Sequence, residues 1–143
     1  MHASNFFKTL FFIFLLVQAS IALASPSDDF DAGVQSFTEG NYGQALEHFK
    51  RAEKGGMKTA LIRYNLGSVY YKLKQYELSK RYFEKLTDDK KLGYLAYYNL
   101  ALLEHKLGHD KSAIELFKKS AQLTDQVEFE ALVDKQINTL KGL

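Results

Sequence analysis

Cysteine is absent from all 143 residues, which excludes disulfides, thiolate nucleophiles, iron–sulfur clusters and cysteine zinc sites. Tryptophan is also missing, and the single proline, Pro26, leaves nothing downstream to interrupt a helix. No acidic residue occurs among the first 24, whose only basic residue is Lys8, so the other 119 carry 18 Lys+Arg against 17 Asp+Glu. That near-neutral balance supplies no long-range field to gather phosphates, and nucleic acid is not expected as a partner. Apolar residues make up 46% and charged ones 25%, the proportions of a folded globular chain. The length suits one domain.

The first 24 residues read as an export signal rather than as fold. A weakly basic start through Lys8 leads into an apolar run from Leu10 to Val17. Ala22-Leu23-Ala24 before Ser25 then has the small-x-small form that signal peptidases cut. Even with its diluted tail the run reaches only about 15 residues, short of the ~20 that span a bilayer. Residues 1–24 are therefore expected to be a signal peptide cleaved after Ala24, with the mature protein periplasmic or secreted.

Comparing the rest of the chain with itself reveals a repeat. At a shift of 34, Ala45, Ser79 and Ala113 superimpose without a gap, as do Phe49, Phe83 and Phe117. Gly33, Gly67 and Ala101 keep the same spacing, and so do Phe30, Tyr64 and Tyr98. Within the middle unit Leu61, Ile62, Leu66, Val69, Tyr70 and Leu73 recur at helical intervals. A second helix is expected over Tyr76 to Leu86. The small residues let paired backbones approach, and the phenylalanine one turn on fills the space beside them. After Thr124-Asp125, Asp125 with Glu128 suggests a capping box opening a last helix. Its apolar stripe is Phe129, Leu132, Val133, Ile137 and Leu140. That helix would cover the open end of the stack.

From about Pro26 to Asp125 the chain resembles the tetratricopeptide repeat family. Tyr64-Asn65-Leu66-Gly67 with Tyr70, Ser79 and Phe83 carries the resemblance, and Tyr98-Asn99-Leu100-Ala101 with Ala113 and Phe117 repeats it. Asp29 and Arg63 stand where the family has an aromatic, and Met57, Lys91 and Asp125 replace its terminal proline. The resemblance implies an all-α solenoid of three helix pairs (about 26–59, 60–93 and 94–125) with a capping helix at 126–143. It also implies a concave surface built by the first helix of each pair.

On that surface the expected partner-binding residues are Phe30, Phe37, Tyr64, Asn65, Tyr71, Lys72, Tyr98, Asn99 and Lys106. The helix from Tyr94 to Leu103 is apolar nearly all round, more than two neighbours would cover. Some members of the family hold a C-terminal carboxylate with Lys, Asn and Arg. Only Asn65 matches that clamp, the other places holding Phe30, Val34, Leu95 and Asn99. His105 and His109, four apart beside Glu104, are expected to be structural rather than metal ligands. No catalytic set, cofactor, metal or small-molecule substrate is expected. The function so implied is a non-enzymatic adaptor of the cell envelope, binding a peptide or helix in an aromatic groove, alone or within an envelope protein complex. The alternative is a structural N-terminal repeat module, or a fragment, of an outer-membrane assembly or export protein.

Overall fold

The computed structural model describes residues 25–142, so the expected signal peptide lies outside the described residues. Seven helices follow in order: α1 Pro26–Thr38, α2 Tyr42–Lys54, α3 Ala60–Lys72, α4 Tyr76–Glu84, α5 Gly93–Lys106, α6 Asp110–Gln122 and α7 Val127–Lys141. No strand occurs among the described residues. The chain is an all-α solenoid in which α1/α2, α3/α4 and α5/α6 pair and α7 packs on α6.

Local chemistry sets the helix ends. Ser25 Oγ accepts from the Asp28 backbone N–H while Asp28 accepts from Ser25, a capping box with Pro26 at the first helical position. Thr59 caps α3 through the Ile62 N–H. The Asp89 carboxylate takes the Lys91 and Leu92 N–H groups at 2.9 Å each and fixes the approach to α5. The turn inside each pair needs one left-handed residue, supplied by Gly40, Lys74 and Gly108. Helix α4 stops at Glu84, two residues short of expectation, yet Leu86 in the following turn is still buried. The capping box expected at Asp125 does not form. Gln126 is the N-cap of α7 and makes no side-chain cap bond, its own N–H being donated to Thr124 Oγ1.

The core is layered rather than central, as stacked repeats require. Phe49, Ile62, Leu66 and Val69 bind the first pair to α3. Phe83, Leu86, Ala96, Leu100 and Leu103 bind the second pair to α5. Ala101, Ala113, Phe117, Val133 and Ile137 close the third pair beneath α7. The small residues act where the spacing placed them. A Cβ at Gly33 would lie 2.7 Å from the Phe49 ring, and one at Gly67 would lie 2.9 Å from that of Phe83. Ser79 uses the same closeness to donate Oγ–H to the Gly67 carbonyl at 2.7 Å. On α7, Val133 and Ile137 are buried, whereas Leu132 stays exposed and is not part of the covering face.

Candidate functional site: the cleft on the first helices

Helices α1, α3 and α5 line one side of the stack, and a cleft of about 270 Å³ opens across them. Phe37 comes from the end of α1, Tyr64, Asn65, Ser68, Tyr71 and Lys72 from one face of α3, and Asn99 and Leu102 from α5. The α3 residues recur at intervals of three and four, so a single helical face delivers all five. Six of the nine expected site residues meet here: Phe37, Tyr64, Asn65, Tyr71, Lys72 and Asn99.

Three polar side chains of the cleft are held by their own helices. Asn65 Nδ2 donates to the Leu61 carbonyl at 3.0 Å, and Asn99 Nδ2 donates to that of Leu95 at 2.7 Å. Ser68 Oγ donates to the Tyr64 carbonyl. These bonds to the preceding turn use one amide hydrogen per asparagine. The Oδ1 atoms accept nothing from the described residues, which leaves two fixed acceptors one repeat apart. Burial, then the neighbouring Tyr76, raises the Tyr71 phenol above its ordinary pKa, so it stays a neutral donor. Lys72 sits 6.0 Å over the Tyr42 ring and brings positive charge to the rim.

Three expected residues are placed elsewhere. Phe30 packs on Phe49 in the first core layer, with ring centres 5.6 Å apart. Lys106 is exposed in the last turn of α5 and does not line the cleft. Tyr98 meets Phe117 edge-on at 5.3 Å and Phe129 of α7 at a tilt at 5.4 Å, so its ring serves the joint between α5, α6 and α7. Burial raises its phenol, and nearby Tyr64 adds to the rise. The apolar girth of α5 has the same origin. Ala96, Leu100 and Leu103 enter the second layer, Ala101 enters the third, and Phe129 reaches across to Tyr94. Three neighbours rather than two cover this helix, so its composition was no evidence for a groove.

The histidines do not converge. His105 Nδ1 meets Asp110 at 2.6 Å, whereas His109 Nδ1 meets Glu104 at 2.8 Å. Among the described residues no three His, Asp or Glu side chains are placed to share a metal ion. Glu104 also accepts from Lys80 Nζ at 2.8 Å. That bond holds its carboxyl below the ordinary range against the opposing effect of burial, and His109 adds to the lowering. The Glu104 bridge from α4 to the α5–α6 turn was not foreseen. Nor was the Ser25–Asp28 box, although its spacing is written in the sequence.

Known proteins resemble this chain in sequence or in fold. The transcription activator GutR of Bacillus subtilis (strain 168) is 31% identical over 107 residues, a match covering 67% of this chain and 13% of GutR. The crystal structure of MamA superimposes with a TM-score of 0.70 at 18% identity, covering 87% of this chain and 72% of that one. The N-terminal domain of stress-induced protein-1 (STI-1) from C. elegans gives 0.65 at 18% identity, covering 81% and 94%. At such identities these two structures establish the fold alone. The model of the family described as tetratricopeptide repeat matches residues 36–79 and 64–128, more than half of the chain. With its paired helices, its three-layered core and that match, this chain belongs to the tetratricopeptide repeat family, whose repeats are protein–protein interaction modules.

Proposed function

We propose that the chain is an exported, non-enzymatic adaptor of the cell envelope that holds an acidic segment of a partner protein in the α1/α3/α5 cleft. One observation carries the reading: the cleft joins the Phe37, Tyr64 and Tyr71 rings to two immobilised asparagine acceptors and a rim lysine. Aromatic rings with polar tips bury much area while ordering few torsions. Asn65 and Asn99 would accept from the segment's N–H groups, and Lys72 would favour carboxylates. Export rests on the apolar run and Ala22-Leu23-Ala24.

The test is a binding series on the exported protein with a photo-crosslinker at Ser68. Crosslinks should map to one acidic segment of an envelope protein, and Tyr64→Ala should weaken that complex by ~2–4 kcal/mol, as hot-spot truncations do. Binding unchanged by both Tyr64→Ala and Lys72→Glu would reject the cleft. An N-terminus at Met1 rather than Ser25, found by mass spectrometry of the envelope fraction, would reject cleavage.

A second reading, a repeat module serving as a spacer in a larger export or assembly protein, draws from the GutR match only that such a stretch can be one part of a longer chain. There, a stretch like this one accounts for 13% of a much longer chain.

A further inference from the structure

The joint between α1 and α2 contains a contact that one protonation state cannot satisfy. Asp29 of α1 is 6% exposed, and its Oδ1 lies 2.9 Å from Arg51 Nε and 3.1 Å from His48 Nδ1, both of α2. Arg51 Nη2 lies 2.7 Å from the same His48 Nδ1. A guanidinium is only a donor and a carboxylate only an acceptor, so His48 Nδ1 faces two partners with opposite demands. With Nδ1 bare, it accepts from Arg51 and opposes its lone pair to that of Asp29. With Nδ1 protonated, it donates to Asp29 and turns N–H and charge against Arg51.

We infer that His48 is a proton-operated exchange point at this joint: the neutral imidazole accepts from Arg51 and leaves Asp29 to the guanidinium, and the imidazolium takes Asp29 and expels the guanidinium. The exchange is open to Arg51 because its side chain is already 52% exposed, whereas that of Asp29, at 8%, stays in the joint. Asp29 keeps a charged partner in both states, so the helix pair holds while a cation is delivered to the surface. Asp29 from α1 and Arg51, one turn along α2, are the charged groups facing the imidazole. Helix α3, on the other side of α2, adds no ion pair to it among the described residues.

The other pairs build the same joint without an imidazole. One repeat on from His48 stands Tyr82, with Lys85, the counterpart of Arg51, 5.7 Å over its ring. In the third pair Leu116 replaces the histidine, and Lys119 lies 5.6 Å over Tyr97, which occupies the place of Asp29. Among the described residues, an imidazole at this joint is thus confined to the first pair.

Long-range proton–nitrogen spectra of the labelled protein decide the matter. Near pH 8 neutral His48 should be the Nε2–H tautomer, and the Arg51 Nε–H signal should resist solvent exchange. As the pH is lowered toward 5, that signal should move to free-arginine values together with the His48 ring signals. His48→Gln should abolish the movement. If that variant does not fold by circular dichroism, Arg51→Gln supplies the readout, switching neutral His48 to the Nδ1–H tautomer as Asp29 becomes its only charged neighbour. A parent Nδ1–H tautomer at pH 8, an Arg51 signal indifferent to the His48 titration, or a tautomer unchanged in Arg51→Gln would each overturn the proposal.

Discussion

Replacing Gly67 by alanine should destabilise the parent protein but stabilise one in which Phe83 is already alanine. Gly67 lies inside α3, and the Phe83 ring of α4 rests against its backbone. An added Cβ would meet Phe83 Cε1 at 2.9 Å and Cζ at 3.0 Å, closer than carbon atoms pack without displacement. Overpacking of this kind costs about 1–3 kcal/mol. Against it stands the helix propensity gained on leaving glycine, about 1 kcal/mol. The parent should therefore lose about 0–2 kcal/mol. The low end is realistic because Ala101 stands at this place in the third pair, against Phe117, and is fully buried. Phe83→Ala alone should cost about 3–5 kcal/mol by leaving a cavity. In that background the collision has gone, and Gly67→Ala should return about 1 kcal/mol. Urea unfolding of the four proteins, followed by circular dichroism, measures the coupling, expected at about 1–3 kcal/mol. A coupling below about 0.5 kcal/mol is ordinary additivity and would mean that the glycine is not there for the ring.

Tyr98→Ala should cost about 2–4 kcal/mol of stability by emptying a three-helix joint, and more than Tyr64→Ala, whose ring meets Phe83 edge-on at 5.8 Å but has no counterpart of the Phe129 contact; equal losses in thermal unfolding would contradict the placement of Tyr98. Glu104, held below its ordinary value by Lys80, binds fewer protons folded than unfolded. Its contribution is complete above the ordinary carboxyl value of 4.5 and fades as pH falls through the lower folded value, so Glu104→Gln should flatten the acid limb of stability against pH. Lys74 holds φ 59°, where the equivalent turns have Gly40 and Gly108, so Lys74→Gly should raise stability by about 1 kcal/mol in urea unfolding. Deleting residues 126–143 uncovers Ala101, Ala113 and Phe117 and should promote self-association, read as a rise in solution mass on light scattering.

Periodicity alone located the helix pairs, because each pair repeats one geometric requirement at a spacing of 34. A small residue in one helix must meet a phenylalanine in the next, and Gly33, Gly67, Phe49 and Phe83 announce this without any long-range contact being known. The α3 face of the cleft was legible for the same reason, since Tyr64, Asn65, Ser68, Tyr71 and Lys72 share one helical stripe. What no single helix contains is the identity of its third neighbour. Tyr98 occupies the same repeat position as Tyr64, yet α7 brings Phe129 onto it and turns a groove residue into a joint. The stripe of α7 marked Leu132 as apolar, and only the packing of α7 on the third pair left it in solvent while burying Val133 and Ile137. The polar bridges were hidden likewise. Asp29 with His48 and Arg51, and Lys80 with Glu104, lie 19 to 24 residues apart where no local spacing rule joins them. Sequence determines which faces must be buried because burial follows helical period; only the stack decides what each face is buried against.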